Sequence, residues 1–376
     1  MVNKLKGNFN KMDEENFSTF ATYCGLALDH ARLYEKIRKS EQKNKVALEI
    51  LSYHNTSNNE ELERTREDIG KFKAPDVLEQ SFSPYYLSDD HKLLTTIKVF
   101  EQISGIPNLD NDDLYRFTLS VRKNYRRVPY HNWTHGFSVA HSLYVFIHDC
   151  DRFTKLEKLA FFVSGLCHDL DHRGTTNQFL IHSSAPLAAI YTTSPLEHHH
   201  YNQTVHILQV SYFLLNKNLA LFFPNKAKLE NLLTSATFDW NNSEHKLLLE
   251  AISMTAADLN STARPWMEAR EQVKELFEEF YAQGDIEKEL GRKPIPLMDR
   301  EKVHEQPASQ VDFLTNISIP TNLKLWTDKV EKEKKLREKL DLMATLKEES
   351  GGHITFRNHA KPVTRGRIER TRSLLH

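Results

Sequence analysis

Two imidazoles and two carboxylates lie within five consecutive positions of this chain, His168 to His172, directly after an apolar run. The run, residues 159–167 (LAFFVSGLC), indicates a buried helix, so His168 and Asp169 would emerge from a hydrophobic wall. An unpaired carboxylate is strongly disfavoured in such surroundings. A hard divalent cation would relieve that cost, and the cluster therefore indicates a metal site.

Two weaker signals occur elsewhere in the chain. His131 and His135, in the sequence YHNWTH, are four residues apart, which puts both rings on one face if the segment is helical. A pair at this spacing is more often part of the surface or of a hydrogen-bonded core than a metal site. Asp258 ends an apolar helical pattern, where a helix cap or a buried ion pair is the more ordinary interpretation. The three signals indicate metal chemistry only together.

The composition narrows the class of protein. The chain has 376 residues, of which 39% are hydrophobic, and its 50 basic residues nearly cancel 51 acidic ones, so no global field points toward nucleic acid. The three cysteines are widely spaced without a CxxC pair, which disfavours a thiolate zinc site and is typical of a reducing, cytoplasmic compartment. No apolar run approaches the roughly 20 residues that cross a bilayer, so no transmembrane segment is expected.

Helices must position these residues. Strand signals are sparse and apolar residues recur at spacings of three and four, which predicts an all-α fold. Residues 20–54 are predicted to form one long helix that connects two modules, and the polar residues 56–68 to form a linker. The predicted organisation is a terminal module and connector helix at 1–55, a linker at 56–73, the main domain at 74–328, and a charged helix with a disordered basic tail at 329–376.

Taken together, HNxxH at 131–135, HDxDHxGxxNxF at 168–179 and the lone Asp258 resemble the signature of the class I cyclic nucleotide phosphodiesterases. The resemblance extends roughly from Ala74 to Trp326 and implies a compact, multi-helix catalytic domain of the HD type. It continues through PLEHHH at 195–200, QGD at 283–285, PIPLMDRE at 294–301 and QVDF at 310–313.

The N-terminal helix is similar to the last helix of a GAF domain and its connector in the GAF-containing members of this family. The similarity rests on YCGLAL at 23–28 and YEKIRKSE at 34–41. Residues 1–55 would then be the end of a GAF-like domain followed by the connector helix. A homodimer through this helix is expected.

The resemblance implies hydrolysis of cAMP, cGMP or both to 5′-monophosphates with two divalent ions. His135, His168, Asp169 and Asp258 would hold zinc, a mixed nitrogen and oxygen ligand set typical of catalytic sites. Asp169 would also bridge to a second ion, Mg²⁺ or Mn²⁺, that keeps most of its water. The ions would activate a water, and His131 would protonate the departing O3′.

Other residues receive roles from the same resemblance. His172, Asn177 and Glu197 would orient waters and ligands around the ions. Gln310 would contact the purine edge through its amide, in either donor or acceptor order, and Phe313 would stack on the base. Tyr130 and Trp266 are candidates for the pocket wall, where a simple core position is at least as probable for each, and Asp171 is interpreted as a structural carboxylate.

The chain departs from the family after Gln209. Only VSYFLLNKN separates residues 206–209 from 219–226, whereas relatives have a further helix ending in an Ala-Thr-Asp element near the second ion. Lower Mg²⁺ affinity and weak or absent turnover are therefore expected. One alternative is a catalytically impaired isoform that dimerises with active subunits. Another is a nucleotide phosphohydrolase of the broader HD superfamily, which would not account for Gln310 and Phe313.

Overall fold

The computed structural model describes residues 7–53, 57–79, 82–103, 110–148, 150–191, 193–210 and 239–318. These residues are mainly helical and include no β-strand, so the predicted all-α fold is confirmed. The α-helices of the described ranges are α1 (Lys11–Tyr53), α2 (Asn59–Lys71), α3 (Asp89–Ile103), α4 (Asn111–Lys123), α5 (Trp133–His148), α6 (Lys155–Cys167), α7 (Asn177–His182), α8 (Pro186–Ile190), α9 (Pro195–Val210), α10 (Ser243–Asp258), α11 (Trp266–Glu289) and α12 (Gln306–Phe313).

Shorter helical turns connect these elements. Four are 3₁₀ turns and one is a π-helical turn: Pro84–Tyr86, Leu259–Ala263, Pro296–Met298, Arg300–Glu305 and Leu314–Ser318. The predicted charged helix and basic tail at 329–376, and the shortened segment after Gln209, lie outside the described residues. None of the helices in the described ranges has the length and apolar character needed to cross a membrane.

Helix α1 begins earlier than predicted, at Lys11 rather than near Phe20. The side chain of Asn10 accepts a hydrogen bond from the backbone N–H of Asp13 at 3.0 Å, and the Asp13 carboxylate accepts one from the N–H of Asn10 at 2.9 Å. This reciprocal cap satisfies two backbone donors and starts the helix there. The capping residues Asn10 and Asp13 precede the apolar pattern that begins near Phe20 and that predicted the helix.

The predicted linker at 56–73 is wrong for most of its length, because Asn59–Lys71 forms helix α2. Asn58 and Glu61 form a capping box at its start. Leu62 and Ile69, seven residues apart, are buried in the main core. Thr65 is buried on the same face, and most of the remaining positions of α2 are charged. Only two apolar residues therefore mark the buried face, which leaves little periodicity in the sequence.

Helices α5 and α6 pack closely. Helix α5 contains His135, and His168 and Asp169 directly follow α6. A Cβ atom at Gly165 would lie 2.7 Å from the Cα atom of Ala140, so this approach requires glycine. Behind the pair, Phe162 packs edge-on against Phe100 with ring centroids 4.9 Å apart. A capping box from Thr154 starts α6. The end of α6 at Cys167 is thereby fixed against the core, and the next residue is His168.

Candidate metal centre and cavity

The four predicted ligands come from three places in the chain and meet at one point. His135 lies in the first turn of α5, His168 and Asp169 follow α6 directly, and Asp258 is the last residue of α10. One potential ligand atom from each lies within 4.8 Å of those of the others. The structure therefore brings all four together, although 123 positions separate His135 from Asp258 in the sequence.

Distances within this quartet suit a cation held by nitrogen and oxygen. The Nε2 atom of His135 lies 3.0 Å from Oδ1 of Asp258 and 3.4 Å from Oδ2 of Asp169. The Nε2 atom of His168 lies 3.1 Å from Oδ2 of Asp169. Its Nδ1 atom donates to the carbonyl of Gly165 at 2.9 Å, which orients the ring and turns Nε2 toward the quartet. The donor set fits a divalent metal ion.

Electrostatics of the quartet support the same interpretation. Burial disfavours the carboxylate of Asp169, but His168 and His135 outweigh burial and hold its pKa well below the usual range. Burial likewise disfavours the charged ring of His168, and Asp169 and Asp258 nevertheless raise the pKa of that imidazole. A divalent ion would supply the positive charge in place of a proton, and its binding would release that proton.

Glu279 is a residue of the site that sequence reasoning missed. Its carboxylate is hydrogen-bonded to Nδ1 of His131 and accepts from the backbone N–H groups of Tyr130 at 3.0 Å and His131 at 3.1 Å. Burial disfavours the charged form of His131, but the bond with Glu279 and the nearby carboxylates raise its pKa. The contact with Glu279 therefore favours the protonated form of His131 beside the quartet.

His172 lies against His131 with ring centroids 4.0 Å apart. Burial and the neighbouring His131 lower the pKa of His172 to about 3, so this ring is neutral. Its Nδ1 atom accepts from the N–H of Gly174 at 3.1 Å, which places its proton on Nε2. His131 and His172 are thus adjacent rings whose pKa values are shifted in opposite directions.

His200 is a second residue that was not singled out from the sequence. Its Nε2 atom lies 3.7 Å from Oδ1 of Asp169, and its Nδ1 atom donates to the carbonyl of Leu170 at 2.5 Å. Burial lowers the pKa of His200 to about 4. The run of three histidines at 198–200 was the available signal, but alternate members of such a run normally face solvent.

Asn177 and Glu197 contact each other at the edge of the site. The amide of Asn177 donates to Oε2 of Glu197 at 2.8 Å, and its Oδ1 accepts from the N–H of Leu196 at 2.9 Å. Asn177 starts α7 and Leu196 lies in the first turn of α9. The pair therefore ties the starts of these two helices together, with Asn177 facing the cavity.

A cavity of about 520 Å³ opens beside the quartet. Its described lining includes predicted site residues that are far apart in the sequence, namely Tyr130, His131, His172, Asn177, Asp258, Gln310 and Phe313. Glu279 contributes to the same wall. Trp266 is 73% exposed and does not belong to this described lining, so the suggestion that it forms the pocket wall is wrong. It starts α11, and its ring lies on the outer surface.

The described helices bring four candidate metal ligands together beside a cavity, an arrangement typical of a metal-dependent hydrolase, and comparison with known families agrees. The family model described as 3′5′-cyclic nucleotide phosphodiesterase matches residues 130–220 and 210–340, more than half of the chain. The chain belongs to this family, as the sequence motifs predicted. The two matched parts meet at 210–220, beside the place where the shortened segment is expected.

Curated relatives carry related names. The chain is 45% identical over 383 residues to the "Probable 3′,5′-cyclic phosphodiesterase pde-5" of Caenorhabditis elegans, covering 90% of this chain and 53% of that protein. It is 37% identical over 349 residues to the "cGMP-specific 3′,5′-cyclic phosphodiesterase" of Drosophila melanogaster, covering 85% of this chain and 31% of that protein. The chain therefore spans about half or less of the length of these relatives.

Solved structures share the fold. The structure of LmjPDEB1 in complex with IBMX matches with a TM-score of 0.62 and 26% identity, covering 72% of this chain and 91% of that chain. The phosphodiesterase domain of the RhoPDE fusion protein from Salpingoeca rosetta matches with a TM-score of 0.58 and 26% identity, covering 69% and 90%. The predicted HD-type catalytic fold is confirmed.

Proposed function

We propose that this chain hydrolyses 3′,5′-cyclic nucleotides to 5′-monophosphates. The observation that carries the proposal is the convergence of His135, His168, Asp169 and Asp258, of which Asp258 lines a cavity together with His131. Cation ligands, an imidazole that can donate a proton and a space for a nucleotide are three parts that the hydrolysis of a cyclic phosphodiester can use. Family membership supports the same reaction.

The quartet is proposed to hold Zn²⁺, with Asp169 shared with Mg²⁺ or Mn²⁺. When bound, such ions polarise the phosphate and lower the pKa of an attacking water. The remaining oxygen of Asp169, Oδ1, faces His200 at 3.7 Å rather than the two histidine ligands. That separation of the two carboxylate oxygens supports the bridging role.

His131 is proposed to protonate the departing O3′ as general acid. Its hydrogen bond with Glu279 orients the ring and favours its charged form, which is the form that a general acid requires. Glu279 is therefore proposed as a positioning residue. His172, Asn177 and Glu197 are proposed to orient waters and ligands nearby.

Gln310 and Phe313 are proposed to bind the base, and Tyr130 to form part of the wall beneath it. All three line the cavity together with Asp258. Because relatives are named cGMP-specific, cGMP is the favoured substrate. The test is hydrolysis of cGMP and cAMP side by side with defined metals and chromatography of the product. The 5′-monophosphate is expected, whereas a 3′-monophosphate or no product would contradict the proposal.

The converging quartet and the family comparisons favour the enzyme over the impaired isoform. The lower Mg²⁺ affinity expected from the shortened segment stays a prediction. Titration of the metal-stripped chain with Mg²⁺ tests it against the catalytic domain of a relative that carries the longer segment.

A homodimer through α1 is also proposed, with residues 1–55 as the end of a GAF-like domain and its connector. Phe17, Phe20 and Tyr23 recur every three residues and are 47%, 65% and 68% exposed, an apolar surface that a second copy would cover. Sedimentation velocity should give a dimer for the wild-type chain and a monomer for Phe20→Glu. A monomeric wild-type chain at micromolar concentration would contradict this.

A cytoplasmic location is proposed as well. The three free cysteines support it.

A further inference from the structure

Asp171 lies between two residues of the candidate centre, Asp169 and His172, and its side chain is fully buried. Its backbone φ of 60° falls in the left-handed region that residues with a side chain rarely adopt. Its N–H donates to the carbonyl of Asn124 at 2.8 Å. Such a conformation persists only where surrounding contacts hold it. The groups that hold Asp171 therefore also fix the directions of Asp169 and His172.

Three side chains hold the Asp171 carboxylate. Nε of Arg126 donates to Oδ1 at 2.6 Å, and Nε2 of His199 lies 2.6 Å from Oδ2. A terminal nitrogen of Arg173 donates to Oδ2 at 3.4 Å. Hydrogen bonds of this kind between charged groups are stronger than neutral ones. The position of the carboxylate thus depends on where the two arginines lie.

Both arginines also contact Glu49, near the end of α1. A terminal nitrogen of Arg126 donates to Oε1 of Glu49 at 3.0 Å, and the same terminal nitrogen of Arg173 that contacts Asp171 donates to Oε2 at 3.2 Å. Each arginine therefore bridges Glu49 and Asp171. The side chains of the two arginines are only 11% and 12% exposed, whereas that of Glu49 is 39% exposed, so solvent screens these contacts in part.

Glu49 belongs to the part of α1 that is seated on the catalytic unit. One turn earlier, Val46 is buried with Leu180, Leu187 and Leu196 of the helices that follow the metal motif. Residues nearer the start of α1, such as Ile37 at 66%, are exposed. The ion pairs of Glu49 consequently form only when the end of the connector helix occupies its place.

We propose that Glu49 is a positioning residue that couples the seating of the connector helix to metal binding. Its charge holds the two arginines in the arrangement that keeps Asp171, and with it Asp169, in place. Removal of that charge leaves two guanidinium groups beside a site that must accept a divalent cation. This inference rests on the proposed function for its meaning, but metal binding can be measured without any substrate.

The test is the affinity of the metal-stripped chain for Mn²⁺, measured by titration calorimetry. Glu49→Gln should weaken Mn²⁺ binding by about 10-fold, the lower end of the range for groups that act on metal ligands through neighbours. The matched control is Glu41→Gln. It removes an exposed carboxylate on the same helix that lies 3.1 Å from Nζ of Lys45. This control should change the affinity by less than about twofold.

Arg173→Gln supplies the second arm of a double-mutant cycle. In the Arg173→Gln background one guanidinium is already gone, so Glu49→Gln should weaken Mn²⁺ binding by less than about threefold. A purely structural role would instead lower the thermal midpoint and leave the two effects additive. Equal affinities for Glu49→Gln and Glu41→Gln, additive losses in the cycle, or no Mn²⁺ binding by the wild-type chain would each overturn the proposal. A chain that binds Mn²⁺ but hydrolyses no cyclic nucleotide would refute the proposed function instead.

Discussion

The imidazole of His131 and the carboxylate of Glu279 are hydrogen-bonded across 148 positions of sequence. The same carboxylate accepts from two backbone N–H groups at the start of the histidine motif, so α11 holds both the position and the charge of the ring. Burial opposes the charged pair, but the partners outweigh it, lowering the pKa of Glu279 and raising that of His131. The pair thus favours the protonated form of His131, the form that a general acid requires.

Glu279→Gln should lower kcat by about 10- to 100-fold near pH 8, part of the roughly 10²- to 10⁴-fold that general acids contribute. Glu279 raises the pKa of His131, so its removal should shift the alkaline limb of the kcat profile to lower pH. A pH series of kcat for cGMP measures both effects. Glu278→Gln, an exposed neighbour paired with Arg300, is the control and should leave the profile unchanged.

Phe313→Ala should raise KM with a smaller effect on kcat. Stacking of a base on an aromatic ring contributes roughly 1–3 kcal/mol. The middle of that range corresponds to about a 30-fold rise in KM. Val311→Ala lies in the same helix at an exposed position and should leave KM unchanged. Equal KM values for the two variants would remove Phe313 from the base pocket.

Gly284→Ala should destabilise the fold by about 1–3 kcal/mol, the range for overpacked positions. A Cβ at this position would lie 1.8 Å from the backbone oxygen of Met298, which cannot move without disturbing the turn after α11. Urea unfolding measures the change. Gly70→Ala is the control, since nothing lies within 4 Å of its Cβ position in α2, and it should be neutral or stabilising. Equal effects would contradict the close approach.

Glu250→Gln should stabilise the chain above pH 7. Burial, with a smaller effect of Glu157, raises the pKa of Glu250 to about 7, against an ordinary value of 4.5. A carboxyl whose pKa rises on folding stabilises the fold below about pH 4.5, and that contribution is lost as the pH increases through 7. The amide avoids this loss.

Thermal midpoints at pH 5 and pH 8 measure the effect of Glu250→Gln. The thermal midpoint of the variant should exceed that of the wild-type chain at pH 8, and the difference should be smaller at pH 5. The control is Glu244→Gln, at an exposed position of the same helix. It should change the thermal midpoint by the same amount at pH 5 and at pH 8. A gain for Glu250→Gln that does not depend on pH would contradict the raised pKa.

The sequence patterns alone pointed to His168 and Asp169, whereas His135 and Asp258 became candidate ligands only together with the family motifs. His168 and Asp169 follow an apolar helix, and Asp258 ends another. Polar residues in such places are costly without a partner, which makes them conspicuous. The helical class was predictable for a different reason, because apolar residues recur at spacings of three and four through much of the chain.

Glu279 could not be found this way, because it is one of several glutamates in a charged, amphipathic helix. Only the three-dimensional fold shows which of them is buried against His131. Helix α2 was missed because Leu62 and Ile69 carry its packing almost alone. Its capping box at Asn58 was a better signal than its periodicity.

Metal content and turnover, measured on one preparation, test the proposed centre most directly. The purified chain should contain zinc, lose hydrolysis of cGMP when stripped by a chelator, and regain it with Zn²⁺ and Mn²⁺. Asp258→Ala should lose both metal and more than about 100-fold in turnover, since ligands matter more than the groups that orient them. Thr255→Ala, exposed on the same helix, should keep both. Unchanged hydrolysis by the stripped chain, or by Asp258→Ala, would contradict a metal centre at this quartet.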